Sequence, residues 1–330
     1  MSVATMNSNL SASPWRLRLE AWWNGYDAEE YSMWRAGRGA ANDGSPALSF
    51  DLPTLPSLDA DDLTPQDSVW PTARVEVAER LFGAGYTVPG GAAEAIELVN
   101  PLGLTSAHSF LDLSAGMGGP SAALVERYGI WVTGYEPNEA LASLAKARLP
   151  SLQGGDQVSV RQYDPETVTL RSKSFDAVLS RESMHRVENK SRMLTHVHSI
   201  LKDWGQFVMT DYVLTSDDGP SDDVRRWFET QPTPVELWTK DAYETALSDL
   251  GFDIRIMEDR SAAHVELIRR DFARFLKEAN RDDLASQPII VAETLMQETE
   301  DWARRVALLT SGEIALCRFF AIKPGDNSDG

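Results

Sequence analysis

Hydrophobic and polar positions change period along this chain, and the changes divide it. From residue 109, short apolar runs alternate with stretches whose apolar residues recur at helical spacing. SFLDLSA, IWVTGYE, VSVRQYD, SFDAVLSRE and GQFVMTDYVL read as five strands, and PSAALVERYG, NEALASLAKARL and KSRMLTHVHSILKD read as helices between them. Such alternation predicts an α/β fold with a mostly parallel sheet and helices on both faces. Residues 216–312 are mainly helical, with one short strand at 252–259, and are expected to cap the site. Residues 313–330 hold a final alternating, aromatic strand and a tail. Upstream, residues 73–100 are helix-patterned around one interruption, GAGYTVPGG at 83–91, and open a core that runs to 215. Residues 15–72 read as a helical extension carrying Trp15, Trp22, Trp23 and Trp34, followed by a Pro/Ser/Asp-rich connector. Residues 1–14 read as a tail.

Composition narrows the function classes. A net charge of −19 repels phosphate backbones and anionic bilayers, so neither nucleic acid nor membrane is expected as a partner. The acidity suits solubility or a salty habitat. No apolar run approaches the ~20 residues of a membrane span. The N-terminus lacks the basic start and apolar core of a secretory signal. A single cysteine, Cys317, excludes an internal disulfide, and a cytoplasmic enzyme fits. The tryptophan-rich extension suggests a homodimer. No metal is expected: the five histidines are scattered, and His196 and His198 diverge on a helix. No GxSxG elbow supports a hydrolase.

The richest stretch is 110–138, FLDLSAGMGGPSAALVERYGIWVTGYEPN. Gly116, Gly118 and Gly119 follow the first strand, where a β-carbon would block close approach of a ligand to the backbone. Pro120 suits the first turn of the next helix. Glu136 ends the second strand about 20 residues after the glycines, where a carboxylate can accept both ribose hydroxyls. Ser121 stands where a dinucleotide fingerprint has its third glycine, which favours S-adenosylmethionine over a dinucleotide. Asp164 closes the third strand pattern; it either accepts the adenine amine or caps the turn before Pro165.

LDLSAGMGG, GYEPN, FDAVLSRE and LKDWGQFVMTDY together resemble the class I S-adenosylmethionine-dependent methyltransferases over residues 80–215. The resemblance implies a Rossmann-like sheet, S-adenosylmethionine as cofactor with S-adenosylhomocysteine as product, and a small-molecule substrate. It puts Asp112, Ser114 and Gly116 at the methionine end, with Gly91, Gly118 and Pro137 nearby. Glu136 would hold the ribose, Asp164 the adenine, and Ser180 and Arg181 would lie beside the sulfonium.

FGAGYTVPGG, SRESMHRVENK and MTDY resemble the phosphobase N-methyltransferase branch. That likeness implies that Tyr86 and His185 meet over the cofactor; the alternatives are a packed aromatic and a surface histidine. Residues 227–239 lack that branch's Arg-Tyr phosphate cluster, which turns the expectation toward a carboxylate. Arg181, Arg186, Arg269, Arg270, Arg304 and Arg305 are the cationic candidates, with one or two expected to face the pocket. A base such as His185 or Tyr86 would serve an amine or oxygen acceptor. A thioether needs none, and Tyr86, Tyr212 and Glu182 would then stabilise the cationic product. The chain also resembles, in length and extension, the bacterial 4-methylthio-2-hydroxybutyrate S-methyltransferases of dimethylsulfoniopropionate synthesis, which implies S-methylation of that thioether. A small-molecule N- or O-methyltransferase and a non-catalytic cofactor-binding protein are the alternatives.

Overall fold

Seven strands build the sheet, in the order β3-β2-β1-β4-β5-β7-β6. A computed structural model describes residues 68–278 and 288–325. The tryptophans behind the homodimer expectation lie outside these residues. β3 (Val158–Gln162), β2 (Trp131–Glu136), β1 (Ser109–Asp112), β4 (Phe175–Arg181) and β5 (Leu201–Leu214) are parallel neighbours in that order. β6 (Asp253–Asp259) and β7 (Ile314–Ile322) complete the sheet, with β7 antiparallel to both β5 and β6. Central β4 is apolar for most of its length and buried on both faces, as a covered parallel strand must be. Leu111, Val178 and Phe207 are fully buried beneath the helices, each stabilising the fold by about 1.5–3 kcal/mol.

The helices begin where short polar side chains can take up free N–H groups. Asn138, Asn189, Ser221 and Thr239 each accept a backbone N–H at the start of α4 (Glu139–Arg148), α5 (Lys190–Ile200), α6 (Asp222–Thr230) and α7 (Lys240–Asp249). Each such cap contributes about 1 kcal/mol. The earlier helices are α1 (Thr72–Phe82), α2 (Gly91–Val99) and α3 (Gly119–Tyr128), and the later ones are α8 (Ser261–Glu278) and α9 (Ile289–Ser311). Phe82 of α1 meets Phe272 of α8 and Trp302 of α9, with ring centroids 6.4 and 5.2 Å apart. This contact carries α1 and α9 over the C-terminal tips of β1, β2 and β4.

Two boundaries differ from the sequence pattern. The helix expected through residue 203 stops at Ile200, and β5 starts at Leu201. Trp204 takes a left-handed φ of 62°, a bend that lets Trp204 N–H and Lys323 N–H pair with Lys323 O and Gly205 O. The third strand ends at Gln162, two residues short of Asp164. Among the described residues no helix is long and apolar enough to cross a membrane, and no group of His, Cys, Asp and Glu could hold a metal ion.

Candidate active site

A cavity of about 320 Å³ opens over the strand tips. Its floor is the glycine-rich turn between β1 and α3. Asp112 braces that turn: its carboxylate accepts from Ser114 N–H at 3.0 Å, Ser114 Oγ at 3.2 Å and Ser121 Oγ at 2.7 Å. Burial raises the Asp112 pKa, with the serines working against it. Ser114 Oγ in turn accepts Arg181 N–H at 2.8 Å, tying β1 to the end of β4.

Glu136 sits at the β2 tip, 7% exposed. Its two oxygens accept Gly116 N–H at 2.8 Å and Asn138 N–H at 2.9 Å. Burial pushes its pKa up to about 7, and these two hydrogen bonds hold it from rising further. Each oxygen keeps a lone pair beyond its backbone donor. Gly116, at φ 54°, presents no side chain beside it. Cavity size, bare backbone and a buried acceptor together suit the nucleoside of S-adenosylmethionine. A diol is held best by the ionised carboxylate, so S-adenosylhomocysteine affinity should rise roughly tenfold from pH 6 to pH 8, following the ionised fraction. Calorimetric titration at the two pH values checks this, and Glu136→Gln should abolish the dependence.

The other end of the cavity is cationic. His185 and Arg186 lie on a short turn after β4 (Met184–Arg186). Arg186 donates to Thr233 Oγ1 at 2.6 Å and to Gln231 Oε1 at 3.2 Å, and has no carboxylate partner among the described residues. Burial, and then the guanidinium groups of Arg305 and Arg74, lower its pKa to about 10, so it remains charged at neutral pH. Arg305 stacks 4.3 Å from the Trp302 ring centroid and pairs with Asp301 at 2.7 Å. Arg74 of α1 stacks 4.2 Å from Trp70 and pairs with Glu298 at 2.6 Å.

Between the ends stand the polar groups of the tips. His185 Nδ1 lies 2.6 Å from Asp211 Oδ1, and Tyr243 Oη donates to Asp211 Oδ2 at 2.7 Å. Burial lowers the His185 pKa against the pull of Asp211, which leaves the ring neutral, with its Nδ1–H donating to Asp211. Tyr212 Oη lies 3.2 Å from Glu182 Oε2 and 2.9 Å from His264 Nε2. Burial raises the Tyr212 pKa well above its usual value, so it stays a donor.

Of the residues singled out from the sequence, Asp112, Ser114, Gly116, Glu136, Pro137, Arg181, Glu182, His185, Arg186 and Tyr212 line this cavity. Tyr86 does not: its hydroxyl donates to Gly119 O at 3.2 Å, and burial raises its pKa to about 12, which removes it as a base. Gly91, Gly118 and Ser180 are also absent from the wall; Ser180 is fully buried against Ser183 at 2.8 Å. Asp164 is exposed, and its oxygens accept Glu166 N–H and Thr167 Oγ1 at 2.9 and 2.8 Å, the turn-capping alternative. Arg269 is exposed beside Glu266, Arg270 is exposed beside Asp271, and Arg304 bonds Thr230 outside the wall. Three of the six candidate arginines line the cavity: Arg181, Arg186 and Arg305. Arg74, Trp302 and Asp211 escaped the sequence reading. Glu298, Trp302 and Arg305, spaced four and three apart, share one helix face, a signal that could have found Trp302.

A model of the methyltransferase domain matches residues 111–209, the span from β1 to β5. Residues 111–209 are thus similar to a methyltransferase domain. The chain's fold is shared by a solved methyltransferase: Haemonchus contortus phosphoethanolamine N-methyltransferase 2, bound to phosphomonomethylethanolamine and S-adenosylhomocysteine, aligns with TM-score 0.68 at 18% identity, over 77% of this chain and 59% of that one. Among curated proteins, maize phosphoethanolamine N-methyltransferase 1 is 27% identical over 245 residues, 74% of this chain and 47% of the maize protein. The Plasmodium falciparum phosphoethanolamine N-methyltransferase is 21% identical over 254 residues, 76% of this chain and 92% of its own. The chain spans under half the length of the plant relatives it matches first. The methyltransferase domain is thus likened to phosphobase enzymes.

Proposed function

We propose that the chain transfers the methyl group of S-adenosylmethionine to a small acceptor bearing one carboxylate. The observation that carries this reading is Arg186, a half-buried guanidinium without a carboxylate partner among the described residues, in one cavity with Glu136 and the glycine turn. Glu136 and the turn would hold the cofactor, whose sulfonium supplies an activated methyl group when bound. Arg186 would anchor the acceptor's anion, fixing its nucleophile and excluding water. Tyr212 and Glu182 line the same cavity and would favour a nascent cation.

The acceptor we infer is a thioether, 4-methylthio-2-hydroxybutyrate, whose S-methylation needs no base. Its single negative charge matches the single unneutralised guanidinium, whereas a phosphomonoester carries a second charge that this wall does not meet. A second reading, N-methylation of an amino acid-like amine, is favoured by the His185–Asp211–Tyr243 chain, whose free Nε2 could take a proton. The two readings separate in one assay. Purified protein with isotope-labelled S-adenosylmethionine is offered the thioether, phosphoethanolamine and a panel of amines, and products are weighed by mass spectrometry. We expect the thioether to turn over, phosphoethanolamine not to, and His185→Asn to keep kcat for the thioether within about tenfold. Turnover of amines alone, with a loss of 100-fold or so in His185→Asn, would favour the second reading. S-adenosylhomocysteine binding without any turnover would leave a non-catalytic protein.

A further inference from the structure

Gln231, the first residue after α6, touches two of the cavity's arginines. Its Oε1 accepts from Arg186 at 3.2 Å and from Arg305 at 3.3 Å, while its Nε2 donates to Asp301 Oδ1 at 2.6 Å. Two guanidinium groups therefore converge on one neutral oxygen. A partial charge on an amide oxygen cannot cancel two full charges, so the pair is held together under mutual repulsion. The neighbouring carboxylates are already engaged: Asp301 pairs with Arg305 at 2.7 Å and Glu298 with Arg74 at 2.6 Å. Arg181 and Glu182, 3.7 Å apart, balance each other. Three guanidiniums (Arg74, Arg186, Arg305) against two carboxylates leave a surplus of one positive charge among these groups. Arg305 Nε is also buried without a hydrogen-bond partner among the described residues, although the side chain lines the cavity.

We propose that Gln231 is a positioning residue that sets the acceptor's charge, by holding Arg186 and Arg305 side by side as a clamp for a single carboxylate. The inference rests on the anion-anchoring half of the proposed function. A glutamate in the same place would supply the clamp's missing anion internally and exclude an external one. A methionine would keep the shape and remove the bridge. A carboxylate ligand relieves the repulsion between the guanidiniums and takes both in charge-assisted bonds. A neutral analogue cannot, and a dianion exceeds the surplus.

The test uses binding to the full chain saturated with S-adenosylhomocysteine, so it needs no turnover. Calorimetry would compare 4-methylthio-2-hydroxybutyrate with its uncharged primary amide, in wild type, Gln231→Glu and Gln231→Met. Wild type should prefer the carboxylate by about 30-fold or more, the size of a buried charged pair. Gln231→Glu should weaken carboxylate binding by roughly 100-fold and bring the carboxylate-to-amide ratio close to one. Gln231→Met should weaken the carboxylate by about tenfold and keep the preference. S-adenosylhomocysteine affinity should stay within about twofold in both variants, which separates charge selection from a damaged fold. Retention of the wild-type ratio in Gln231→Glu would overturn the proposal, as would a wild type that binds carboxylate and amide alike. A wild type that prefers the carboxylate yet forms no methylated product would refute methyl transfer and leave the clamp standing.

Discussion

Arg186→Leu should lower kcat/KM for a carboxylated acceptor by about 100- to 1000-fold, the cost of losing a buried charge partner. Leucine retains the apolar stem and removes the guanidinium. Asp301 then balances Arg305 and Glu298 balances Arg74, so the acceptor end loses its surplus charge. The anion is held in ground and transition states alike, so the loss should fall on KM and leave kcat within about fivefold. S-adenosylhomocysteine binding should weaken only slightly, because Arg186 is the least of the influences on Glu136, whose pKa it lowers. Steady-state kinetics with the thioether acceptor checks the split. An unchanged KM would move the anion site elsewhere.

Gly119→Val should cost about 3 kcal/mol of stability and most of the cofactor affinity. A β-carbon at Gly119 would stand 2.6 Å from Gly85 O, 2.9 Å from Gly85 C and 3.1 Å from Tyr86 Cε2. The neighbour cannot move aside. Gly85 N–H is fixed on Glu79 Oε1 at 2.8 Å, and the far end of the same loop is fixed by Gly90 N–H on Asp271 Oδ2 at 2.8 Å. The glycine turn must shift instead, and with it Gly116 and its bond to Glu136. Thermal unfolding of the free protein and titration with S-adenosylhomocysteine would register the two effects. A variant of native melting temperature and native affinity would show that the two loops are not packed as described.

The cofactor end was legible because its signals are local. A strand, a glycine turn whose backbone must stay bare, a helix opening on Pro120 and a carboxylate at the next strand tip are contiguous within residues 110–138. The rest depended on tertiary placement. The sequence shows Tyr86 beside glycines, but only packing reveals that its hydroxyl turns to Gly119. Asp164 was ambiguous because a carboxylate can serve a ligand or its own turn, and here the turn's N–H and hydroxyl groups claim it. Arg304 and Arg305 are adjacent, and one step on a helix rotates a side chain by about 100°. Arg305 therefore enters the cavity with Trp302 while Arg304 bonds Thr230. Asp211 looked like one more polar position in an alternating strand. Its burial under His185 and Tyr243 becomes visible only when β5 and α7 meet.

A crystal structure with S-adenosylhomocysteine and 4-methylthio-2-hydroxybutyrate bound together is the most direct test. It should show the ribose hydroxyls on Glu136, the acceptor's carboxylate on Arg186 and Arg305, and its thioether sulfur facing the homocysteine sulfur. A cofactor bound away from Glu136, or an acceptor carboxylate that leaves Arg186 untouched, would contradict the proposed methyl transfer to an arginine-anchored acid.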